Sequence, residues 1–320
     1  MRPFKPGNDA TFRGRRRGAW PLVVAVLCGL GIAGAGGYWL LRPHHPSAPI
    51  AALVAPIEIR QATESEISQH VATRLTVFRF TQQPRILVLD FPSLHDQAQM
   101  LNRVAAFVEK SGLPHDRVLS DSELSEAIER RGESADTFYL GHDYPAASLA
   151  RFFLLADGER IDINPAEQEL RRLLRQEGWL AEGVNAALIS VPAAGSDPRI
   201  TGSVRETILR HELSHGEFFS NPAYAEYVHR FWLTELTEEE RRAVRDFLSR
   251  EGYDPGDEEL MYNEMQAYLM FTRDPLFFTP NLVGMTPERL WGLQNHFLSG
   301  MPPGWLRDLL GTYAGATSTQ

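Results

Sequence analysis

Residues 210–219 read RHELSHGEFF, a stretch in which a glutamate stands between two histidines. His211 and His215 are four residues apart, so on a helix both imidazoles lie on one face, about one turn apart. Both could therefore bind one metal ion while Glu212 points to a neighbouring sector. In this His-Glu-x-x-His arrangement, zinc takes two imidazole nitrogens and the glutamate acts on the water that the metal activates. The stretch predicts a zinc-binding helix.

The residues around the two histidines indicate that this helix is buried. Ile208 and Leu209 precede them, and Phe218 and Phe219 follow. Buried histidines and carboxylates have to be paired or ligated, because burying an uncompensated charge is costly. Ser203 with Glu206 has the pattern of a capping box, which predicts the start of the helix. The alternative is a chance match in an ordinary helix, so a third ligand is needed.

Catalytic zinc sites use three protein ligands and keep one position open. A third histidine six residues after His215 is excluded, because that position is Asn221. The apolar helical pattern of residues 257–271, DEELMYNEMQAYLMF, carries Glu264 in its middle and makes it the candidate third ligand. Asp254 and Asp257 remain alternative ligands. A core helix whose glutamate reaches solvent is the structural alternative.

His211-Glu212-x-x-His215, followed by Asn263-Glu264-x-x-Ala267, resembles the gluzincin metallopeptidases, in the Asn-Glu-x-x-Ala form of some aminopeptidases. The resemblance covers about residues 203–270 and implies a zincin-like helical portion. The spacing between the two motifs is longer than in thermolysin-like members. Tyr268 stands where those enzymes have an aspartate, which puts that supporting role in doubt.

The resemblance also implies roles for individual residues. His211, His215 and Glu264 would bind Zn²⁺, and Glu212 would be the general base. Gluzincins also use a tyrosine or a histidine to stabilise the oxyanion. Tyr268 is the first candidate for that catalytic role, and the remaining candidates are Tyr262, His229 and His296.

The charge distribution separates the N-terminus from the rest of the chain. The net charge of the 320 residues is −9, but residues 1–42 carry seven Lys/Arg and one Asp, which leaves −15 for residues 43–320. So acidic a portion is a poor partner for phosphate backbones, and nucleic acid is not expected as a ligand. Cys28 is the only cysteine, so a disulfide within the chain and a cysteine nucleophile after residue 42 are excluded.

The N-terminus predicts a single membrane helix. Residues 1–18 form a basic tail, and the uncharged residues 20–41, WPLVVAVLCGLGIAGAGGYWLL, would span about 33 Å as a helix. A transmembrane helix at 19–41 would leave the basic tail in the cytoplasm and export the rest. The expected location is the bacterial inner membrane, with the main domain periplasmic or extracellular. A signal peptide cleaved after Ala35 is the alternative.

The exported part predicts an α+β fold: a proline-rich linker at 42–56, an α/β portion at 57–200, a helical zinc-site portion at 201–310 and a flexible tail at 311–320. Buried strands are expected at 85–91 and 186–192, and a hairpin at 152–163 that turns at Asp157-Gly158. The residues expected to begin helices share capping chemistry: Ser93, Ser120 or Asp121, Asn164, Ser203, Asn221, Thr237, Asp257 and Thr286.

Together these features predict a membrane-anchored, exported zinc-dependent hydrolase, a metallopeptidase that acts on a peptide or protein. One alternative is a catalytically inactive, zinc-stabilised binding or assembly protein of the cell envelope, although holding the metal does not require Glu212. Another is a hydrolase of a non-protein amide. The sequence leaves the substrate and the oligomeric state open.

Overall fold

A computed structural model of the protein describes residues 55–316. The predicted basic tail at 1–18 and the predicted membrane helix at 19–41 lie outside these residues, as does most of the linker. Among residues 55–316, no helix is both long enough and apolar enough to cross a membrane.

The described residues contain one mixed sheet of five strands. Its strands are β1 (Ile59–Ala62), β2 (Thr76–Phe80), β3 (Ile86–Phe91), β4 (His142–Pro145) and β5 (Ala187–Pro192). The order is β1-β2-β3-β5-β4, in which β1 pairs with β2 and β3 with β5 in parallel. The β2–β3 and β4–β5 pairs are antiparallel. The buried strands predicted at 85–91 and 186–192 are confirmed as β3 and β5, and β4 forms an edge.

Helices cover both faces of the sheet and dominate the C-terminal half. Those before β5 are α1 (Glu64–Gln69), α2 (Leu94–Val108), α3 (Asp121–Arg131), α4 (Ala146–Glu159) and α5 (Pro165–Glu177). Those after it are α6 (Gly202–Ser220), α7 (Pro222–Thr234), α8 (Glu238–Glu251), α9 (Glu258–Phe271), α10 (Pro280–Val283), α11 (Pro287–Gly300) and α12 (Trp305–Ala316). The α+β class is therefore observed.

The alternation of side chains along β3 separates two parts of the core. Leu87 and Leu89 pack with α2, α4 and α5 on one face of the sheet. Ile86 and Val88 pack on the other face, with α6. A third apolar cluster holds α7 to α12 together and contacts α6 through Phe218. Helix α6 thus lies between the sheet and the helical portion, which buries the His-Glu-x-x-His stretch.

Capping residues located most helix starts correctly, because the cap is a local hydrogen bond. The predicted caps that are confirmed are Ser93, Ser120, Asn164, Asn221, Thr237, Asp257 and Thr286. The prediction that Ser203 caps α6 is wrong. Thr201 is the cap, and its hydroxyl accepts a hydrogen bond from Val204 N, while Ser203 lies in the first turn.

Two further differences concern chain segments. The hairpin predicted at 152–163 is wrong, because residues up to Glu159 belong to α4. Leu149, Phe152, Phe153 and Ala156 recur with helical spacing and are all buried, so the apolar run is one face of a helix. At the other end, α12 continues to Ala316, within the segment 311–320 for which a flexible tail is predicted. Its Leu306 and Leu310, which precede that segment, pack into the helical core.

Gly216 allows α6 to approach β3 closely. A Cβ at residue 216 would lie 2.8 Å from Cδ1 of Ile86, which is fully buried. We expect Gly216→Ala to lower the free energy of unfolding by about 1–3 kcal/mol in urea, because the core is overpacked. The control is Gly158→Ala in α4, whose Cβ would meet nothing within 4 Å. It should raise that free energy by about 0.5–1 kcal/mol, and equal effects of the two substitutions would contradict the close approach.

Candidate metal centre

Helix α6 brings His211 and His215 together in the interior. Their Nε2 atoms are 3.0 Å apart, and His215 has no exposed surface. The side chain of His211 is about one-tenth exposed, so the pair can be reached from one direction. The four-residue spacing thus places both rings on one helix face, as the sequence predicts.

The remaining ring nitrogens of the two histidines are fixed by hydrogen bonds. His215 Nδ1 donates to Asn263 Oδ1 at 2.9 Å. His211 Nδ1 donates to Thr272 Oγ1 at 2.7 Å, because that hydroxyl uses its own proton on Ala267 O. Both Nε2 atoms therefore carry lone pairs rather than protons.

Two lone pairs that face each other at 3.0 Å repel unless a cation lies between them. Burial lowers the pKa of His211 to about 3 and that of His215 to about 4, which disfavours a proton between them at neutral pH. A metal ion is the cation that two neutral imidazoles bind, so the pair has the chemistry of two metal ligands.

Glu264 of α9 completes this group. Its Oε2 lies 3.5 Å from His211 Nε2 and its Oε1 lies 3.6 Å from His215 Nε2. The side chain has no exposed surface, and neither oxygen has a hydrogen-bond partner among the described residues. Burial raises the pKa of this carboxyl. Ligand atoms around a tetrahedral zinc are about 3.4 Å apart, so the three residues fit a metal ion of that kind.

Glu212 lies beside the metal ligands and against the backbone of Gly141. A Cβ on residue 141 would overlap Glu212 Oε1, and would lie 2.8 Å from Glu212 Cδ and 2.9 Å from Ile208 Cγ2. The other oxygen of Glu212, Oε2, is buried and has no hydrogen-bond partner in the described part of the chain. Burial, followed by the charges of Glu264 and Glu109, raises the pKa of this carboxyl well above its usual range.

A cavity of about 210 Å³ opens onto His211 and Glu212. Its walls combine polar side chains with aromatic and apolar ones, which include Tyr139, Tyr253, Tyr268, Ile208 and Phe277. The Tyr268 ring packs edge-on against the His211 ring, with centroids 4.9 Å apart. Tyr253 also lines the cavity, and burial, followed by the charge of Glu264, raises the pKa of Tyr268 well above its usual range. The histidine pair and Glu212 can therefore be reached through a cavity on one side.

The fold brings His211, Glu212, His215, Glu264 and Tyr268 together, and it holds the other sequence candidates elsewhere. Tyr262 stacks on His229 with ring centroids 4.8 Å apart, and neither residue lines the cavity. His296 pairs with Glu235 at the surface. The alternative ligands Asp254 and Asp257 serve as a turn acceptor and a helix cap. Neither aspartate belongs to a group of possible metal ligands among the described residues.

Several residues of the site carry no signal in the sequence. Gly141 immediately precedes β4, and Asp143 belongs to that strand. Glu109 caps the end of α2, and Tyr253 follows α8. Thr272, at the end of α9, accepts a hydrogen bond from His211 Nδ1. None of these residues belongs to a recognisable sequence motif, so the three-dimensional fold was needed to find them.

Asn263 fixes the His215 ring, and its loss should weaken metal binding. We expect Asn263→Ala to raise the Kd for Zn²⁺ roughly 10–100-fold, the usual effect of removing a hydrogen-bond partner of a ligating histidine. Competition with a chromogenic chelator measures the change. Asn263→Asp keeps an acceptor for Nδ1–H and should retain most of the affinity. Unchanged binding in the alanine variant would contradict the fixed tautomer.

Comparisons with protein-family models, curated proteins and solved structures find no significant match to this chain. Its function is therefore inferred from the residues and geometry described above.

Proposed function

We propose that this chain is a membrane-anchored, exported zinc-dependent hydrolase, and specifically a metallopeptidase of the gluzincin type. The observation that carries the proposal is the convergence of two imidazole lone pairs and an unpartnered buried carboxyl, His211, His215 and Glu264, beside a fourth residue, Glu212, at a cavity. Three protein ligands with an open approach are characteristic of catalytic zinc.

In this proposal His211, His215 and Glu264 hold the zinc. When bound, zinc would lower the pKa of a water molecule and polarise the carbonyl oxygen of the substrate. A cation at this position also lowers the pKa of a neighbouring carboxyl. Glu212 would then be a carboxylate at neutral pH, despite its burial.

Glu212 supplies the proton transfers. It accepts a proton from the attacking water as the oxygen of that water bonds to the carbonyl carbon. It then gives the proton to the amide nitrogen as the carbon–nitrogen bond breaks, so the amine leaves neutral. The contact with Gly141 holds the carboxylate on the side of the histidines that faces the cavity.

Tyrosine hydroxyls are suited to stabilise the charge that develops on the carbonyl oxygen. Tyr268 lines the cavity against His211, and Tyr253 lies beside both Tyr268 and Glu264. A hydroxyl aimed at a developing oxyanion, in a site with little water, lowers the barrier substantially. We assign this role to Tyr268, with Tyr253 orienting its hydroxyl.

Zinc content tests the proposal directly. We expect the full chain to keep zinc through gel filtration and to hydrolyse members of a mixed peptide pool, read by mass spectrometry. His215→Ala and Glu264→Ala should lose both properties. His296→Ala, a histidine at the surface, should keep both.

Other outcomes separate the rival functions. Zinc without hydrolysis would favour the zinc-stabilised binding protein. A folded chain that binds no zinc when zinc is supplied in excess would overturn the proposal.

A further inference from the structure

Three buried carboxyls meet beside the histidine pair. Glu109 comes from the end of α2, Asp143 from the edge strand β4 and Glu264 from α9. One oxygen of each lies within 4.8 Å of the others, and their exposed fractions are 3%, 8% and 0%. Elements far apart in the chain thus bring three acids to one buried point.

The protein offers little positive charge to this group. Lys110 is adjacent to Glu109 in sequence, but its ammonium lies 4.1 Å from the Phe138 ring centroid, donates to Phe138 O and pairs with Glu133 at 3.4 Å. Tyr144 donates one hydrogen bond to Glu109. Carboxyls in this position have to take up either protons or a cation.

One of the three carboxyls, Glu264, and the hydroxyl of Tyr139 have no hydrogen-bond partner among the described residues. Both oxygens of Glu264 are buried without a hydrogen-bond partner in the described residues, so one can bind the ion at the histidines and the other a second ion. The buried hydroxyl of Tyr139 also has no partner among those residues. Burial, followed by the charges of Glu109, Glu264 and Asp143, raises the pKa of Tyr139. A neutral, unpartnered hydroxyl can serve as an oxygen ligand for a cation.

A different grouping, Asp143 with Glu212 and His215, is not a cation site. The His215 atom nearest Asp143 is Nδ1, at 3.8 Å from Asp143 Oδ1. That nitrogen carries the proton donated to Asn263, so it has no lone pair for a metal.

We propose that Glu109, Asp143 and Glu264 form a second cation site, with Glu264 as the carboxylate that it shares with the zinc centre. All its ligands are oxygens, which suits a hard divalent cation such as Mn²⁺, Mg²⁺ or Ca²⁺ rather than zinc. The inference rests on the proposed function in that Glu264 also binds zinc.

The test uses the full chain, stripped of metal, reloaded with one equivalent of Zn²⁺ and titrated with Mn²⁺. Free Mn²⁺ is counted by its EPR signal, to which Zn²⁺ does not contribute. We expect one Mn²⁺ per chain. In Glu109→Gln, which resembles the protonated carboxyl in shape, the Kd for Mn²⁺ should rise by at least roughly tenfold while zinc stays bound. Asp143→Asn serves as a second variant should Glu109→Gln fail to fold.

Glu133→Gln is the matched control, because Glu133 pairs with Lys110 and is not a member of the three. It should bind Mn²⁺ like the wild type. A wild-type chain that keeps zinc but binds no Mn²⁺, or a Glu109→Gln chain that binds it unchanged, overturns the second site and leaves the zinc proposal standing. A wild-type chain that binds no zinc overturns the zinc proposal instead.

Discussion

Replacing Glu212 by glutamine will slow peptide hydrolysis by roughly 10²–10⁴-fold, the contribution of a positioned general base. Glutamine has nearly the same shape, so it can occupy the space against Gly141, but it cannot accept a proton from water. His211, His215 and Glu264 are unchanged in this variant, and zinc should remain at wild-type stoichiometry. The measurement is kcat for a peptide recovered from the mixed pool, beside zinc content on the same sample.

Glu217→Gln is the control for this substitution. Glu217 is also a buried glutamate of α6, but its carboxylate accepts hydrogen bonds from Gln83, Asn221 and Trp305 and does not line the cavity. It should leave kcat within a factor of a few. Glu212→Gln with a wild-type rate would remove Glu212 from the mechanism.

Gly141→Ala should reduce hydrolysis by about 10²-fold, with zinc retained. The new Cβ would occupy the space of Glu212 Oε1 and lie 2.9 Å from Ile208 Cγ2, so the carboxylate has to move. A displacement of about 1 Å at a reacting group costs on that order. The three atoms nearest this Cβ belong to Glu212 and Ile208 and not to a proposed metal ligand, so we expect the loss in kcat without a loss of zinc.

Two further variants separate this effect from general damage. Gly202→Ala, at the start of α6, places a Cβ where nothing lies within 4 Å and should leave the rate unchanged. The double variant Gly141→Ala, Glu212→Gln should be no slower than Glu212→Gln alone, because both changes act through one carboxylate. If the two losses multiply, Gly141 acts through something other than Glu212.

The features that could be predicted from the sequence are local ones. The caps at Asn164 and Thr237 are hydrogen bonds within four residues, and the fully buried β3 and β5 are continuous apolar runs. His211 and His215 share a face through helical geometry alone. The hairpin predicted at 152–163 is wrong because a short apolar stretch fits either a strand or one face of a helix. In α4 its packing against α2 and β4 decides the outcome.

The rest of the candidate site depends on packing between distant elements. Glu264 could be predicted as a ligand because Asn263-Glu264-x-x-Ala267 resembles the second motif of gluzincins. Asp143 and Glu109 are reached only when the edge strand β4 pairs with β5 and the end of α2 meets the turn before α9, where Lys110 bridges to Tyr253. No periodicity specifies those pairings. The oxyanion candidates Tyr262 and Tyr268 are six residues apart on α9, and only the packing of that helix decides which of them faces the cavity.

The division of the candidate metal centre between two helices has a consequence for the lifetime of the protein if zinc binds there as proposed. Both histidines belong to α6, whereas Glu264, Asn263 and Thr272 belong to α9 or its end. An ion bound there cross-links the two helices only in the native fold, and zinc at 100 times its Kd would add about 2.7 kcal/mol to stability. Without zinc, the chain would open more often at this point and be cut by proteases. Zinc scarcity would then reduce the abundance of the protein. Restoring zinc later would reactivate only the small fraction that had not been degraded.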